Sequence, residues 1–204
     1  MSEQAACHIS ALLLAAGKGE RMARLKQLLP LGDSSMLETS LRNLERSRVR
    51  EIVVVLGFAA ERIMPLLRDK PNVKVVVNAR FEEGMSSSIR CGLGAIAPEG
   101  EGVLVALADQ PFIPPEVIDL LIDAFVQFKK GIVVPVYRGQ RGHPVILSLG
   151  KYRGDLLTLV GDVGARELLA AHPEDVLEVE VSSWGAVVDI DFWDDYQKIQ
   201  REGQ

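Results

Sequence analysis

The stretch Leu14-Ala15-Ala16-Gly17-Lys18-Gly19-Glu20-Arg21-Met22, with Lys26 just beyond it, is the first place where residue types and spacing suggest chemistry. Small residues let a backbone approach a ligand closely, and glycines adopt conformations that other residues avoid. Successive exposed N–H groups can then wrap a phosphate chain, with Arg21 and Lys26 supplying positive charge. The Gly-Lys-Ser/Thr ending of a P-loop is absent. A strand turning into a solvated basic loop explains the same residues equally well. A second feature is Ala108-Asp109-Gln110-Pro111, an acid placed directly after an apolar run and followed by a proline that stops strand pairing. A third is Val187-Val188-Asp189-Ile190-Asp191. In a strand-like segment both of its acids fall on one side and Ile190 on the other. Helix capping is the simpler explanation of Asp191 taken singly.

The elements that must position these residues alternate between short apolar runs and helical patterns. Strands are expected at Ile9 to Ala15, Ile52 to Leu56, Val73 to Val77, Val103 to Leu107, Ile132 to Val136, Val145 to Leu147 and Val176 to Val181. Helices are expected at Met36 to Arg46, Ala59 to Leu67, Ser87 to Ala97, Glu116 to Phe128, Ala165 to Ala171 and Phe192 to Arg201. Ser35 and Glu38 are spaced as a capping box at the start of the first of these. Such alternation predicts an α/β fold with right-handed crossovers and a doubly wound, mostly parallel sheet. In that architecture ligands sit outside the carboxyl ends of the strands, where Gly17 and Asp109 fall. Arg138-Gly139-Gln140-Arg141-Gly142 reads as a turn between antiparallel strands, so a small mixed-sheet subregion for a second substrate is expected.

Composition narrows the classes. The chain has 204 residues, 48% hydrophobic and 25% charged, with no repeat or linker, and reads as one domain over residues 1–204. Its 23 basic and 28 acidic residues give a formal charge of -5 without a long block of one sign. Nucleic acid is therefore not the expected partner. Cys7 and Cys91 have no paired spacing, which points to neither a disulfide framework nor a zinc site, and Cys91 reads as a packed residue. A reducing compartment, the cytoplasm, is the expected location. No basic residue precedes the apolar stretch Ile9 to Ala16, and no run approaches the ~20 apolar residues of a membrane span.

Six segments in order, LLLAAGKGERM with Lys26, NARFEEGMSSSIRCGL, ADQP, RGQRGHPV, GDVGAR and DID, resemble the molybdenum cofactor cytidylyltransferase family. That family lies within the nucleotidyltransferases resembling molybdopterin guanylyltransferase, and the resemblance runs from about residue 9 to residue 195. It implies a Rossmann-like fold, a magnesium ion, and transfer of CMP from CTP to the phosphate of a molybdopterin-type acceptor, with a client molybdenum enzyme as a further partner. Departures are Ala23, where a glycine commonly follows the Arg-Met pair, and Phe192-Trp193 in place of a frequent Thr-Pro.

The resemblance assigns Leu14, Ala15, Ala16, Gly17, Arg21, Lys26, Asn78, Ser86, Ser87 and Asp109 to the nucleotide. Arg21, Lys26 and Asp109 would be catalytic, and Asp109 and Asp191 would hold the metal, with Asp189 near enough to assist. His143, Gly161, Asp162, Gly164 and Arg166 fall to the acceptor. Plainer readings stand beside these: Asn78 as a strand-end turn, Ser86 to Ser88 as helix caps, His143 as part of a turn before Pro144, and Gly161 to Arg166 as a helix start. The rivals in function are transfer to a sugar phosphate or another phosphorylated acceptor, and a non-catalytic cofactor-binding maturation chaperone.

Overall fold

The computed structural model describes residues 7–19, 24–190 and 192–202. Strand β1 (Ile9–Ala15) is buried along its whole length, which is why it reads as an unbroken apolar run rather than an alternating one. It pairs in parallel with β4 (Glu51–Leu56) on one side and with β6 (Gly102–Leu107) on the other. Beyond β4 lies β5 (Val73–Val77), also parallel. Between β1 and β4 run a small antiparallel hairpin, β2 (Pro30–Leu31) and β3 (Ser34–Ser35), and helix α1 (Met36–Glu45). The capping box of α1 is formed: the Glu38 N–H donates to Ser35 Oγ at 3.2 Å, and the Ser35 N–H donates to Glu38 Oε2 at 2.9 Å.

On the far side of β6 the sheet becomes mixed. Strand β7 (Ile132–Tyr137) turns through Arg138 and Gly139, both at positive φ (50° and 81°), into the short β8 (Gln140–Arg141). Strand β9 (Val145–Ser148) then runs antiparallel between β6 and β7, and β10 (Val176–Glu180) closes the edge in parallel with β7. The order is β10-β7-β9-β6-β1-β4-β5, with β8 on β7, eight strands among the described residues. The expected doubly wound, mostly parallel α/β sheet with a mixed subregion is what the chain forms.

Alternate side chains of β1 feed two cores. Ile9, Ala11 and Leu13 pack with α1, α2 (Ala60–Ile63) and α4 (Pro115–Phe128) on one face. Leu12 and Leu14 pack with α3 (Met85–Leu93), α5 (Leu149–Thr158) and α6 (Arg166–Ala171) on the other. Each fully buried leucine contributes on the order of 1.5–3 kcal/mol, so this two-sided burial fixes the register that aims the loops. A third cluster, Leu29, Met36, Ile190 and Tyr196, seats α7 (Trp193–Glu202) beneath the loop that follows β1.

Several expected boundaries change. Helix α2 passes into a 3-10 turn over Met64–Leu67, where Pro65 has no N–H to give. Helix α3 starts at Met85 rather than Ser87 because the Asp162 carboxylate and the Gly161 carbonyl accept from the N–H groups of Met85 and Ser86. It ends at Leu93, before Gly94. Helix α5 was not expected, since Gly150 and Gly154 weaken its pattern, and packing of Leu149, Tyr152 and Leu156 sustains it. Residues 187–190, where a strand-like segment would put the acids on one side, form no strand: among the described residues their ladder-like bond is Ile190 N–H to the Asp109 carbonyl at 3.2 Å.

Candidate active site

Two cavities open at the carboxyl edge, on either side of β6. The chain leaves β1 toward β4 in one direction and later returns to place β6 on the opposite flank, so this is a topological switch point, where open α/β sheets bind ligands.

The first cavity, about 410 Å³, is lined by the loop after β1 (Leu14, Ala15, Gly17, Lys18, Gly19), by Lys26 and Gln27, by Phe81 and Glu82, and by Ala108 and Asp109. Lys26 Nζ lies 3.3 Å from Asp109 Oδ2, joining the two chemical features that the sequence left far apart. Cationic Lys18 pairs with Glu82 at 2.6 Å across the rim. The loop is held from below: the Arg24 guanidinium stacks 4.4 Å from the Trp193 ring, and Tyr196 donates its hydroxyl to the Pro30 carbonyl at 2.6 Å. The terminal helix thereby fixes the exit of the loop from which Lys26 projects.

The second cavity, about 690 Å³, lies over the mixed part of the sheet. Its polar lining includes Asp109, Gln110, Arg141, His143, Asp162, Arg166 and Asp189, and its apolar lining includes Leu107, Val134 and Val145. Burial holds the His143 imidazole below its ordinary pKa, and Arg166 adds to that while Asp189 opposes it. The ring is therefore neutral at pH 7, with one nitrogen donating and one accepting. Gln110 gives its amide N–H to Asp189, which ties the segment before α7 to the end of β6. Asp109 lines both cavities.

Of the expected nucleotide residues, Leu14, Ala15, Gly17, Lys26 and Asp109 come together in the first cavity. Ala16 is buried behind it, its carbonyl accepting from Phe58 N–H at 3.1 Å, and its methyl group faces Gly57, which Phe81 also abuts. Asn78, Ser86 and Ser87 line neither cavity. The Asn78 amide donates to Ser87 and Ser88 hydroxyls at 2.8 and 3.1 Å, Ser87 donates to the Arg80 and Gly84 carbonyls, and Ser86 donates to the Val160 carbonyl. These side chains spend their hydrogen bonds on shaping the loop, and the anion at the start of α3 is the Asp162 carboxylate. The serines also lie inside α3 rather than at its cap, which is Gly84. Gly84, at φ 94°, packs so close to Gly161 that a Cβ would sit 2.6 Å from its backbone, so two glycine-bearing segments distant in sequence dock on each other.

Of the acceptor residues, His143, Asp162 and Arg166 line the second cavity, while Gly161 and Gly164 form the turn behind it. Arg21 and Asp191 lie outside the described residues. Gln27, Phe81, Gln110 and Arg141 were not singled out in the sequence. The position of Gln27 directly after Lys26 was the available signal for it.

For a divalent cation, the donor chemistry is hard carboxylate oxygen. Asp109 faces both cavities, and its backbone carbonyl is bonded to Ile190, the residue preceding Asp191. Magnesium-like ions keep waters and need only one or two carboxylates beside phosphate oxygens, so Asp109 alone is chemically suited to such an ion. Among the described residues no group of three or more His, Cys, Asp or Glu side chains forms a dedicated metal cage. No described helix is long and apolar enough to cross a membrane.

The family model described as MobA-like NTP transferase domain matches residues 11–176. Nicotine blue oxidoreductase of Paenarthrobacter nicotinovorans is 31% identical over 192 residues, covering 89% of this chain and 92% of that protein. Molybdenum cofactor cytidylyltransferase of Escherichia coli is 24% identical over 140 residues, 69% of this chain and 70% of that one. Among solved structures, Rv0371c of Mycobacterium tuberculosis H37Rv matches with a TM-score of 0.84 at 31% identity, covering 96% of this chain and 99% of that one. A complex of Rv0371C with manganese matches with a TM-score of 0.80 at 29% identity, covering 95% and 98%.

Proposed function

The chain belongs to the MobA-like NTP transferase domain family and is a nucleotidyltransferase, and from that premise we propose that it transfers CMP from CTP to the phosphate of a molybdopterin-type acceptor. Residues 1–204 act as one domain in this reading. The observation that carries it is the position of Asp109, paired with Lys26 in a cavity sized for a nucleotide and shared with a second cavity that carries Arg141 and Arg166.

The triphosphate occupies the first cavity, its phosphates along the loop after β1 with Lys18 and Lys26 beside them. The acceptor occupies the second, its phosphate drawn by Arg141 and Arg166 and its ring system against Leu107, Val134 and Val145. An acceptor phosphate oxygen attacks the α-phosphorus in line; the new P–O bond forms as the bond to pyrophosphate breaks, and the electron pair leaves with pyrophosphate. The nucleophile is already an anion, so no general base is needed. The chain's task is to hold two mutually repelling anions in line and to neutralise charge on the leaving group, which Lys26 does from the nucleotide side. Arg21 is assigned the same task. A magnesium ion held by Asp109 and Asp191 supplies further charge neutralisation when bound, and the manganese complex of Rv0371C supports divalent metal use. His143, neutral and facing Asp189 and Arg166, offers the acceptor one donor or acceptor without adding charge.

The test is a pyrophosphate-release assay of each nucleoside triphosphate with purified molybdenum cofactor. CTP-dependent release that requires the acceptor is expected. Release with a sugar phosphate but not with the pterin would move the assignment to a different acceptor.

A further inference from the structure

Gln27 is 6% exposed, follows Lys26 directly, and lines the first cavity. Its side-chain nitrogen donates to the Ala15 carbonyl and to the Gly17 carbonyl, both at 3.0 Å. Both neighbours are pure acceptors, so only the NH2 end of the amide can face them and the orientation of the group is fixed by chemistry. Its carbonyl oxygen, Oε1, is therefore turned away from the loop, and it is buried with no hydrogen-bond partner. Buried polar atoms are nearly always paired, and an orphan in the wall of a ligand cavity is a candidate for a bond that a ligand completes.

We propose that Gln27 is a nucleotide-contacting residue whose Oε1 accepts a hydrogen bond from a ribose hydroxyl, while its NH2 locks the loop at Ala15 and Gly17. The proposal rests on the nucleotide occupying the first cavity and names which part of the nucleotide meets this atom. An acceptor oxygen requires a donor, and triphosphate oxygens at neutral pH have none to give. The remaining donors on the nucleotide are ribose hydroxyls and the N–H groups of the base. Lys26, one residue away, belongs to the polyphosphate end, and consecutive Cα atoms are ~3.8 Å apart. The ribose is the donor-bearing part of the nucleotide that lies next to the phosphates. Gln27 thus couples two functions: one end of the amide sets the loop, and the other registers that a ribonucleotide fills it.

The experiment is calorimetric titration of the full chain with CTP, 2′-deoxy-CTP and 3′-deoxy-CTP, or the matched set for whichever triphosphate binds best, followed by the same series on Gln27→Met. One deoxy analogue is expected to bind the wild-type chain five- to tenfold more weakly than the ribonucleotide, about one neutral hydrogen bond. In Gln27→Met that ratio is expected to fall to about one, even though loss of the loop bonds weakens all the nucleotides together. Equal wild-type affinity for all three nucleotides would overturn the proposal without any variant, as would an undiminished ratio in Gln27→Met. If Gln27→Met does not fold, Gln27→Asn, whose shorter amide cannot span the same three partners, takes its place in the second arm. Absence of any triphosphate binding to the wild-type chain would overturn the nucleotide reading itself, and is thus distinguishable from failure of the Gln27 contact alone.

Discussion

Replacing Asp109 by Asn keeps the shape of the side chain and removes its charge, and the structure gives opposite signs to the two consequences. Lys26 Nζ sits 3.3 Å from Asp109 Oδ2, with 13% and 30% of the respective side chains exposed. At an effective dielectric of ~20 the direct attraction is about 5 kcal/mol. Desolvation and solvent screening at this partly open cleft reduce the net coupling to roughly 1–2 kcal/mol. In Asp109→Asn that neutralisation of the ammonium is lost and a negative charge facing the triphosphate disappears. Metal-free CTP should therefore bind about 5- to 30-fold more tightly. Turnover should move the other way, falling about 10²- to 10³-fold, because the charge proposed to hold the magnesium ion is gone. Calorimetry in the presence of a chelator reads the first quantity, and magnesium-dependent pyrophosphate release reads the second. Near-normal turnover would remove Asp109 from the metal. Weaker metal-free binding would show that the carboxylate does not oppose the phosphates at all, and the electrostatic argument would fail. The lost coupling should lower the thermal midpoint by only about 2–8 °C, and a much larger drop would point to misfolding instead.

Arg166→Ala should raise the apparent KM for the acceptor more than that for CTP, since Arg166 lines only the second cavity; steady-state titration of each substrate checks this, and the reverse pattern would place Arg166 with the nucleotide. Ala16→Gly removes a methyl group packed toward Gly57, next to Phe81. It should lower the ratio of kcat/KM for CTP over GTP by up to ~1–3 kcal/mol, a graded change rather than a switch. The pKa of His143 in the folded chain lies below its ordinary value of 6.5 because the ring is desolvated. As pH falls below ~6.5 the unfolded chain takes up a proton that the folded chain resists, so this residue costs stability on the acid side. Denaturation midpoints between pH 7 and 5 should fall less steeply in His143→Gln, and an identical slope would dismiss the residue as a source of the pH dependence.

The sheet was legible because its strands are short, β-branched and bounded by turn residues. Ile9 to Ala15 and Val73 to Val77 match the structure to the residue. Helix α1 was legible because its cap is local: Ser35 and Glu38 satisfy each other three residues apart. Where the deciding partner is remote, the sequence misleads. The start of α3 is set by Asp162, 77 residues away, which accepts from Met85 N–H. Nothing within Met85 to Ser88 announces that the anion for this helix comes from the protein. Ser86 and Ser87, assigned to the nucleotide on resemblance with capping as the plainer reading, make hydrogen bonds within the fold, to Arg80, Gly84, Val160 and Asn78, as Ser88 does to Asn78.

The same distinction explains why the first cavity was readable in the sequence and the second much less so. The first cavity is built chiefly from one loop, and its chemistry follows from consecutive small and basic residues, with Asp109 supplied by the adjacent strand. The second draws its lining from β6, β7, β8, β9, α3 and α6, and from the turns at Asp162 and Asp189. No short window contains its pattern, so Arg141 and Gln110 gain meaning only once β8 and the 187–190 segment are folded against the end of β6. Asp109 belongs to both halves because β6 lies between them. A carboxylate at that point would repel two phosphorylated substrates unless cations were placed on each side of it. Lys18 and Lys26 lie on one side and Arg141 and Arg166 on the other. That division of charge suits the proposed reaction between two anions, each drawn to its own side of Asp109.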